Sequence, residues 1–239
     1  MNIAVDYGNT TAKVGIFENE LLREKRLFTE PAGLRSFLEN QAAANVIVSS
    51  VSYPAEELLS WIVTVGKKLS LTYSLPLPIK NLYATPQTLG VDRIAAVCGA
   101  LSIFPQQPCL VIDVGTCINY EFIDEKENYH GGSISPGIAM RFEAMHTFTS
   151  RLPLVNPVPD PPLIGSSTET CMQSGVINGM RAEIEGIIQQ YLDHYPSTKV
   201  LLCGGDASFF ESRLNQSIFV APDLVLQGLN RILRYHISR

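Results

Sequence analysis

The chain has 239 residues, of which 46% are hydrophobic, and this is enough to build one large or two small domains around a full core. Its net charge of −5 and pI near 5.4 argue against nucleic acid as a partner, because a nucleic-acid footprint needs a basic face. It contains no run of about 18 apolar residues and no basic flank before its first strand, so we expect a cytoplasmic protein without a membrane partner.

The chain opens with a predicted strand, tight turn and strand. Asn2 to Val5 is an apolar run, and Ala12 to Phe17 resumes an extended pattern. The bend between them can direct peptide N–H groups, an amide, a hydroxyl and an ammonium group at phosphate oxygens, and Asp6 can hold the accompanying Mg²⁺. The alternative is a plain hairpin built from common turn formers. The candidate phosphate-binding residues are Gly8, Asn9, Thr10 and Lys13, with Asp6 for the metal.

The next elements continue an α/β alternation. The pattern predicts a helix that begins at Pro54, buries Val65 and ends near Gly66. Leu75 to Lys80 contains two prolines and is predicted to link two halves, 1–80 and 81–239, with a boundary between 75 and 108. The other elements predicted before this linker are a strand at Leu21–Phe28, a helix at Pro31–Gln41 and a strand at Asn45–Ser49.

An Asp-Arg pair follows Gly90 at the start of an apolar helix predicted for Ile94 to Phe104. A carboxylate is favoured at a helix N-terminus, where Asp92 could accept a proton. Arg93 offers a planar fork for a carboxylate or phosphate. The alternative is that Asp92 only caps the helix and Arg93 forms an ion pair on the surface.

A second copy of the acidic turn follows at Asp113, Gly115 and Thr116, after an apolar run and before the extended stretch Ile118–Ile123. Two such units, one opening each half, indicate duplicated α/β halves. We therefore predict mixed sheets flanked by helices, with a cleft between the halves in which a nucleotide has its phosphates held from both sides.

Glycine-rich turns also punctuate the second half. His130 to Gly137 is predicted to close a strand and start a helix, and its N–H groups could cradle an anion. Gly204 to Asp206 ends a buried strand, where the adenosine end of a nucleotide could bind. The remaining predictions are an irregular loop at Leu152–Leu163, a helix capped by Ser166–Glu169 that runs to His194, and a last helix from Pro222 that could pack back on the first half.

The cysteines and histidines show no pattern of a site. Five cysteines are scattered along the chain, which is typical of reduced core residues and offers neither a disulfide framework nor a metal motif. The four histidines have no ligand spacing either.

Taken together, these motifs resemble the type III pantothenate kinases of the actin-like, sugar-kinase-like ATPase superfamily, whose fold has duplicated ribonuclease H-like halves. The resemblance covers nearly the whole chain and lies in the order and spacing of short motifs. These are Asp6-x-Gly-Asn-Thr-x-x-Lys13, Gly90-Val-Asp-Arg93, Asp113-x-Gly-Thr116, Gly131-Gly-x-Ile-x-Pro-Gly137, Thr168 with Met172-Gln-Ser-Gly175, Gly204-Gly-Asp206 and Pro222-Asp-Leu-Val-Leu-x-Gly-Leu229.

The resemblance implies phosphorylation of pantothenate by ATP and Mg²⁺, the first step of coenzyme A biosynthesis, in a homodimer whose interface helps enclose pantothenate. It implies that Asp92 is the general base and that Asp113 binds a monovalent cation, K⁺ or NH₄⁺. The ATP-binding residues it implies are Asp6, Tyr7, Gly8, Asn9, Thr10, Thr11, Ala12, Lys13 and Thr116. The pantothenate contacts it implies are Tyr83, Gly90, Val91, Asp92, Arg93 and Thr168.

One segment departs from the family pattern. Cys117-Ile118-Asn119 follows Thr116, where many members have further threonines or serines, and this bears on the cation requirement. Two other functions stay open from the residues alone, a non-catalytic nucleotide-binding regulator and a kinase of another small alcohol or sugar. A regulator would have no need of a base such as Asp92 beside an acceptor hydroxyl.

Overall fold

The computed structural model describes all 239 residues, which form two compact units. The first unit comprises Met1–Gln106, Ile123–His130 and Asp223–Arg239, and the second comprises Gln107–Phe122 and Gly131–Pro222. The halves predicted from the sequence, 1–80 and 81–239, are defined by the repeated motif and not by compactness. They stay a prediction. No helix is long and apolar enough to cross a membrane.

The regular elements alternate as predicted. The strands are β1 Asn2–Tyr7, β2 Ala12–Glu18, β3 Leu21–Phe28, β4 Ala42–Ala43, β5 Asn45–Ser50, β6 Val63–Thr64, β7 Lys68–Ser70, β8 Lys80–Asn81, β9 Cys109–Val114, β10 Cys117–Ile123, β11 Asn128–Pro136, β12 Lys199–Cys203 and β13 Phe219–Val220. The helices are α1 Pro31–Glu39, α2 Ala55–Ser60, α3 Val91–Ile103, α4 Ile138–Thr147, α5 Thr168–His194 and α6 Leu224–Ile237, with short 3₁₀ turns at Pro86–Thr88 and Ala207–Phe209.

The first unit is built on a five-stranded sheet of order β3-β2-β1-β5-β7. β1 pairs antiparallel with β2 and parallel with β5. Because side chains alternate along a strand, Ile3 and Val5 face one side, where they pack with residues of α1 and α2. Asn2, Ala4 and Asp6 face the other side, which α6 covers.

Two glycines let α3 and α6 pack backbone against backbone within the first unit. A Cβ at Gly228 would lie 1.7 Å from the carbonyl oxygen of Ala95, and a Cβ at Gly99 would lie 2.2 Å from that of Leu224. No side chain larger than hydrogen fits at either position. α3 is consequently buried along most of its length, from Arg93 to Leu101.

The helix predicted for residues 54–66 is wrong in its length. α2 ends at Ser60, and Val63 and Thr64 instead form β6, which pairs with β4. Val65, expected to be buried, is 97% exposed. Consecutive β-branched residues from Ile62 to Val65 explain the difference, since branched side chains lose χ1 freedom in a helix and favour extended backbone.

The second unit has its own core around β9, β10 and β12. β9 and β12 pair in parallel, with Cys203 opposite Asp113. Apolar residues of α4 and α5 cover one face of these strands. α5 begins at Thr168, and the hydroxyl of Ser167 accepts a hydrogen bond from the Thr170 N–H, which confirms the predicted cap.

We predict that Gly228→Ala lowers the free energy of unfolding by about 3 kcal/mol, because the added methyl group overlaps the Ala95 carbonyl and the helices must separate. The matched control is Gly186→Ala in α5, where an added Cβ meets no atom within 4 Å. This change should raise stability by about 0.5–1 kcal/mol through helix propensity. Urea denaturation measures both, and an unchanged midpoint for Gly228→Ala would contradict the packing described.

Candidate functional site

The first acidic turn connects β1 to β2, as predicted. The Gly8 N–H donates to the Thr11 carbonyl at 3.0 Å, and a Cβ at Gly8 would lie only 3.2 Å from that oxygen. Asn9 and Thr10 are exposed at the tip. The turn lines a small hollow of about 70 Å³ together with residues 28–30. Its polar groups are therefore open to a ligand from solvent.

Asp6, Lys13 and Ser49 occupy adjacent positions at the same end of the sheet. Asp6 lies opposite Lys13 on β2 and opposite Ser49 on β5. All three side chains consequently lie on one face of the sheet, the face that α6 covers. The Ser49 hydroxyl is buried without a hydrogen-bond partner in the protein. A carboxylate, a hydroxyl and an ammonium group are thus concentrated beside the turn.

The Gly90–Arg93 segment forms the first turn of α3, also in the first unit. Gly90 is the N-cap residue, and Asp92 Oδ1 accepts a hydrogen bond from the Arg93 N–H at 2.9 Å. A Cβ at Gly90 would lie 2.6 Å from the same oxygen, so the carboxylate folds closely over the helix start. Asp92 is half-buried, and Val91 lies beside it.

Arg93 is buried, with 8% of its surface exposed, so the alternative that it forms an ion pair on the surface is wrong. Its guanidinium carbon lies 5.6 Å from the centre of the Tyr83 ring, within the range of a cation–π contact. Tyr83 in turn stacks on the buried Tyr129, with ring centres 6.3 Å apart. Tyr83, Asp92 and Arg93, three of the predicted pantothenate contacts, therefore lie together.

The second acidic turn connects β9 to β10 in the second unit, as predicted. The Gly137 N–H donates to the Thr116 carbonyl at 3.0 Å, and the Gly115 N–H donates to the Cys117 carbonyl at 3.0 Å. A Cβ at Gly137 would lie 2.1 Å from the Gly115 carbonyl oxygen. The glycine of the Pro-Gly segment is thus required for contact with this turn. Thr116 is exposed at its tip.

Asp113 lies where the carboxyl ends of β9 and β12 meet, the usual place for a ligand in parallel sheets. Gly204 has φ +98°, and a Cβ there would lie 2.2 Å from the Val114 carbonyl oxygen and 2.5 Å from Asp113 Oδ1. The Asp206 N–H donates to the Val114 carbonyl at 2.9 Å. Burial raises the pKa of Asp206 above its ordinary value.

The remaining predicted residue, Thr168, is exposed at the first position of α5. It belongs to the second unit with Asp113 and Thr116, whereas Tyr83 and Gly90–Arg93 belong to the first. No group of three or more His, Cys, Asp or Glu side chains is placed to hold a metal ion by itself.

A larger cavity, of about 620 Å³, lies at the opposite end of β1 from the acidic turn. Asn2, Asn45 and Arg231 are among the residues that line it. None of the motif residues contributes to it, so its size alone does not make it the reactive site. The smaller hollow at the turn is lined instead by residues that were predicted to bind phosphate.

Sequence reasoning missed one cluster of side chains near the second acidic turn. Arg141, Glu183 and Tyr120 form a hydrogen-bonded cluster next to Pro136 and Gly137. The signal available in the sequence was an arginine and a glutamate on helical faces that otherwise carry apolar residues. Which residue each would contact depends on elements far apart along the chain.

Comparisons with known proteins agree with the motifs. The family model for type III pantothenate kinase matches residues 2–190. A type III pantothenate kinase of Cytophaga hutchinsonii is 43% identical over 237 residues, covering 99% of this chain and 100% of the relative. One from Bacteroides fragilis is 43% identical over 242 residues and covers 100% of both chains. One from Christiangramia forsetii is 41% identical over 240 residues, covering 99% of each.

Solved structures show the fold. A Campylobacter jejuni protein assigned to the Baf family of transcriptional activators matches with a TM-score of 0.66 at 21% identity, covering 99% of this chain and 100% of that one. A glucokinase from an Antarctic psychrotroph matches with a TM-score of 0.54 at 10% identity, covering 98% of both chains. The chain accordingly has the actin-like, ribonuclease H-like ATPase fold that was predicted.

Proposed function

Because the chain belongs to the type III pantothenate kinase family, we propose that its two acidic turns and its Gly90–Arg93 segment carry out that family's reaction. The reaction is the ATP-dependent phosphorylation of pantothenate in coenzyme A biosynthesis. The observation that carries the residue assignment is the cluster of Tyr83, Asp92 and Arg93, which combines a carboxylate, a guanidinium and an aromatic ring at one helix start.

Asp6 to Lys13 and Thr116 are assigned to ATP. Exposed amide and hydroxyl groups at Asn9, Thr10 and Thr116 suit phosphate oxygens, and Lys13 brings a positive charge. The family uses a divalent metal, and the Asp6 carboxylate beside the unpartnered Ser49 hydroxyl fits Mg²⁺, which takes oxygen ligands from one or two protein groups and from phosphates. When bound, the ion neutralises charge on the transferring phosphoryl group.

Asp92 is assigned as the general base. Phosphoryl transfer depends mainly on positioning and charge neutralisation, so the protein's task at the acceptor is to orient one hydroxyl and accept its proton. A carboxylate can accept about four hydrogen bonds, and the bond from the Arg93 N–H occupies one of them. The proton of the primary hydroxyl of pantothenate passes to the remaining carboxylate oxygen as the phosphoryl group arrives.

The remaining pantothenate contacts are Tyr83, Gly90, Val91, Arg93 and Thr168. Arg93 is assigned to the pantothenate carboxylate, because a guanidinium in a site shielded from water binds a carboxylate in a fixed, bidentate geometry. Thr168 is assigned to a pocket shared with the partner subunit, and its exposed hydroxyl at the start of α5 supports this assignment.

Asp113 is assigned to a monovalent cation, K⁺ or NH₄⁺. It is half-buried at the junction of β9 and β12, and the close approach of Gly204 brings backbone to its carboxylate. Cys117-Ile118-Asn119 stands where many members of the family have further threonines or serines, so we assign the cation to Asp113 without a hydroxyl from this segment.

A homodimer is proposed from the apolar residues of the second unit that solvent reaches. Phe148 is 85% exposed, Leu163 is 82% exposed and Ile164 is 85% exposed, in contrast to the covered core. A second copy of the chain is the occupant we assign to these exposed side chains.

A cytoplasmic location is supported by the five free cysteines, and the net charge of −5 favours neither nucleic acid nor an anionic membrane.

For Asp92→Asn we expect kcat to fall by about 10²- to 10⁴-fold while ATP still binds, because the amide cannot accept the hydroxyl proton. ATP-dependent formation of phosphopantothenate measures the loss, and equilibrium nucleotide binding measures what is retained. Glu56→Gln, which changes an exposed acid in the first turn of α2, is the matched control and should have no effect. Near-normal turnover of Asp92→Asn would remove Asp92 from this role.

For Asp113→Asn we expect activation by potassium to weaken or vanish, because the neutral amide binds the cation less well. The measurement is the rate as KCl replaces NaCl at constant ionic strength. Asp193→Asn, an exposed acid on α5, should keep the potassium response of the unmodified chain. The assignment is wrong if the titration of Asp113→Asn equals that of the unmodified chain.

For Phe148→Ser combined with Ile164→Ser we expect dissociation of the dimer at micromolar concentration, since two large apolar side chains leave the interface. Sedimentation velocity over a concentration series measures the change. Val65→Ser is the control, because Val65 is 97% exposed in the first unit and has no assigned partner. An unmodified chain that sediments as a monomer would exclude the dimer.

A further inference from the structure

We propose that Arg141, Glu183 and Tyr120 are positioning residues that hold the second acidic turn in the shape that receives ATP phosphate. The inference rests on the proposed assignment of Thr116 to ATP. None of the three side chains belongs to a motif discussed above, and all three lie in the second unit. They act through Pro136 and the residue after it, Gly137, which contacts the turn directly.

Arg141 fastens the end of β11 to the helix that follows it. Its Nε donates to the Pro136 carbonyl at 2.8 Å, and its Nη2 donates to the Ser135 hydroxyl at 2.8 Å. Nη2 also donates to the Glu183 carboxylate. The planar guanidinium therefore fixes the position of the Pro136 carbonyl, just before Gly137. Its forked N–H groups restrict both the direction and the length of these hydrogen bonds.

Glu183 and Tyr120 fix the position of that guanidinium. Glu183 projects from the middle of α5, and its second oxygen accepts a hydrogen bond from the Tyr120 hydroxyl at 3.1 Å. Tyr120 is buried in β10, four residues after Thr116. Burial by itself raises the pKa of Glu183, but hydrogen bonds from Arg141, Ser135 and Tyr120 outweigh it and keep the pKa below its ordinary value. Glu183 is therefore a carboxylate at neutral pH, as the cluster requires.

The next contact transmits this position to the acidic turn. The Gly137 N–H donates to the Thr116 carbonyl at 3.0 Å, and the space for a Cβ at Gly137 is already filled by the carbonyls of Gly115 and Thr116. Because Gly137 is already packed against these two carbonyls, a displacement of Pro136 and Gly137 moves Thr116. A hydrogen-bonded path thus runs from α5 through Arg141 to the residue assigned to phosphate.

A cluster that only tied α5 to the sheet would not need these acceptors. Arg181 and Glu185 form a half-exposed pair one turn apart on the same helix, at 3.6 Å, and Glu185 also accepts hydrogen bonds from Asn215 rather than from either acidic turn. Arg141 instead directs two of its hydrogen bonds to the two residues before Gly137. Its removal should therefore change nucleotide binding beyond any effect on stability.

The test uses Arg141→Lys and Tyr120→Phe in the full-length chain. Lysine keeps the charge but cannot serve Pro136, Ser135 and Glu183 from one planar group, so we expect KM for ATP to rise by about 10- to 100-fold. Tyr120→Phe should raise it by a smaller factor of about 3 to 10. KM for pantothenate should stay within about twofold, because the residues assigned to pantothenate are not part of the path.

Arg181→Lys is the matched control and should leave both KM values unchanged. Equal KM values for ATP in Arg141→Lys and the unmodified chain, with only a lower melting temperature, would overturn the proposal and make the cluster purely structural. Thr116→Ala distinguishes this failure from one of the proposed function. If Thr116→Ala leaves KM for ATP unchanged, the assignment of Thr116 to ATP is wrong and the positioning role fails with it.

Discussion

The first unit depends on one constraint, the contact of two helix backbones at Gly99 and Gly228. The carbonyl oxygens of Ala95 and Leu224 occupy the space that any side chain would need. This contact fixes the axis of α3, and the axis of α3 fixes where its first turn presents Asp92. The catalytic assignment thus rests on two residues that bear no functional group. Dispersion contacts along such a close interface are individually weak and collectively large, which makes the helix position well defined.

The second unit positions its acidic turn with glycine contacts and with hydrogen bonds between side chains. Gly137 and Gly204 bring backbone against the turn at Asp113 to Thr116, and neither position has room for a Cβ. Glycine at these places allows close approach but does not by itself define a geometry. In our proposal, the charged and hydroxyl groups around Arg141 define the geometry of the turn. Close packing and directional hydrogen bonds then have separate roles in shaping a loop that we assign to ATP.

The sequence predicts what is local, and much of this fold is local. Apolar runs located β1, β5, β9 and β12, Ser167 marked the start of α5, and two acidic turns were recognised from their residues. The prediction of a helix through Val65 was wrong because it gave the periodic apolar pattern more weight than the preference of β-branched residues for extended backbone. In the structure that preference prevails. The short strands β4, β6 and β8 were missed because pairing, rather than pattern, creates them.

The candidate site divides in the same way. Asp6, Asp92 and Asp113 were singled out from their chemistry, whereas Tyr83 and Thr168 came only from the resemblance to a family. The fold alone places Tyr83 beside Arg93. Contacts such as Gly137 with Thr116 and Arg141 with Glu183 join positions 21 and 42 residues apart, and nothing local specifies them. Membership of residues 123–130 in the first unit likewise follows from tertiary contacts alone, whereas the sequence predicts that the last helix can pack back on the first half.

The position of α6 affects how the chain folds during synthesis. Because α6 covers one face of β1 from a distant position in the chain, the first unit stays incomplete until α6 has been translated, although its strands emerge first. The nascent sheet has this face uncovered until α6 leaves the ribosome. A stalled or prematurely terminated product would expose that face, and it is the form we expect chaperones and proteases to engage.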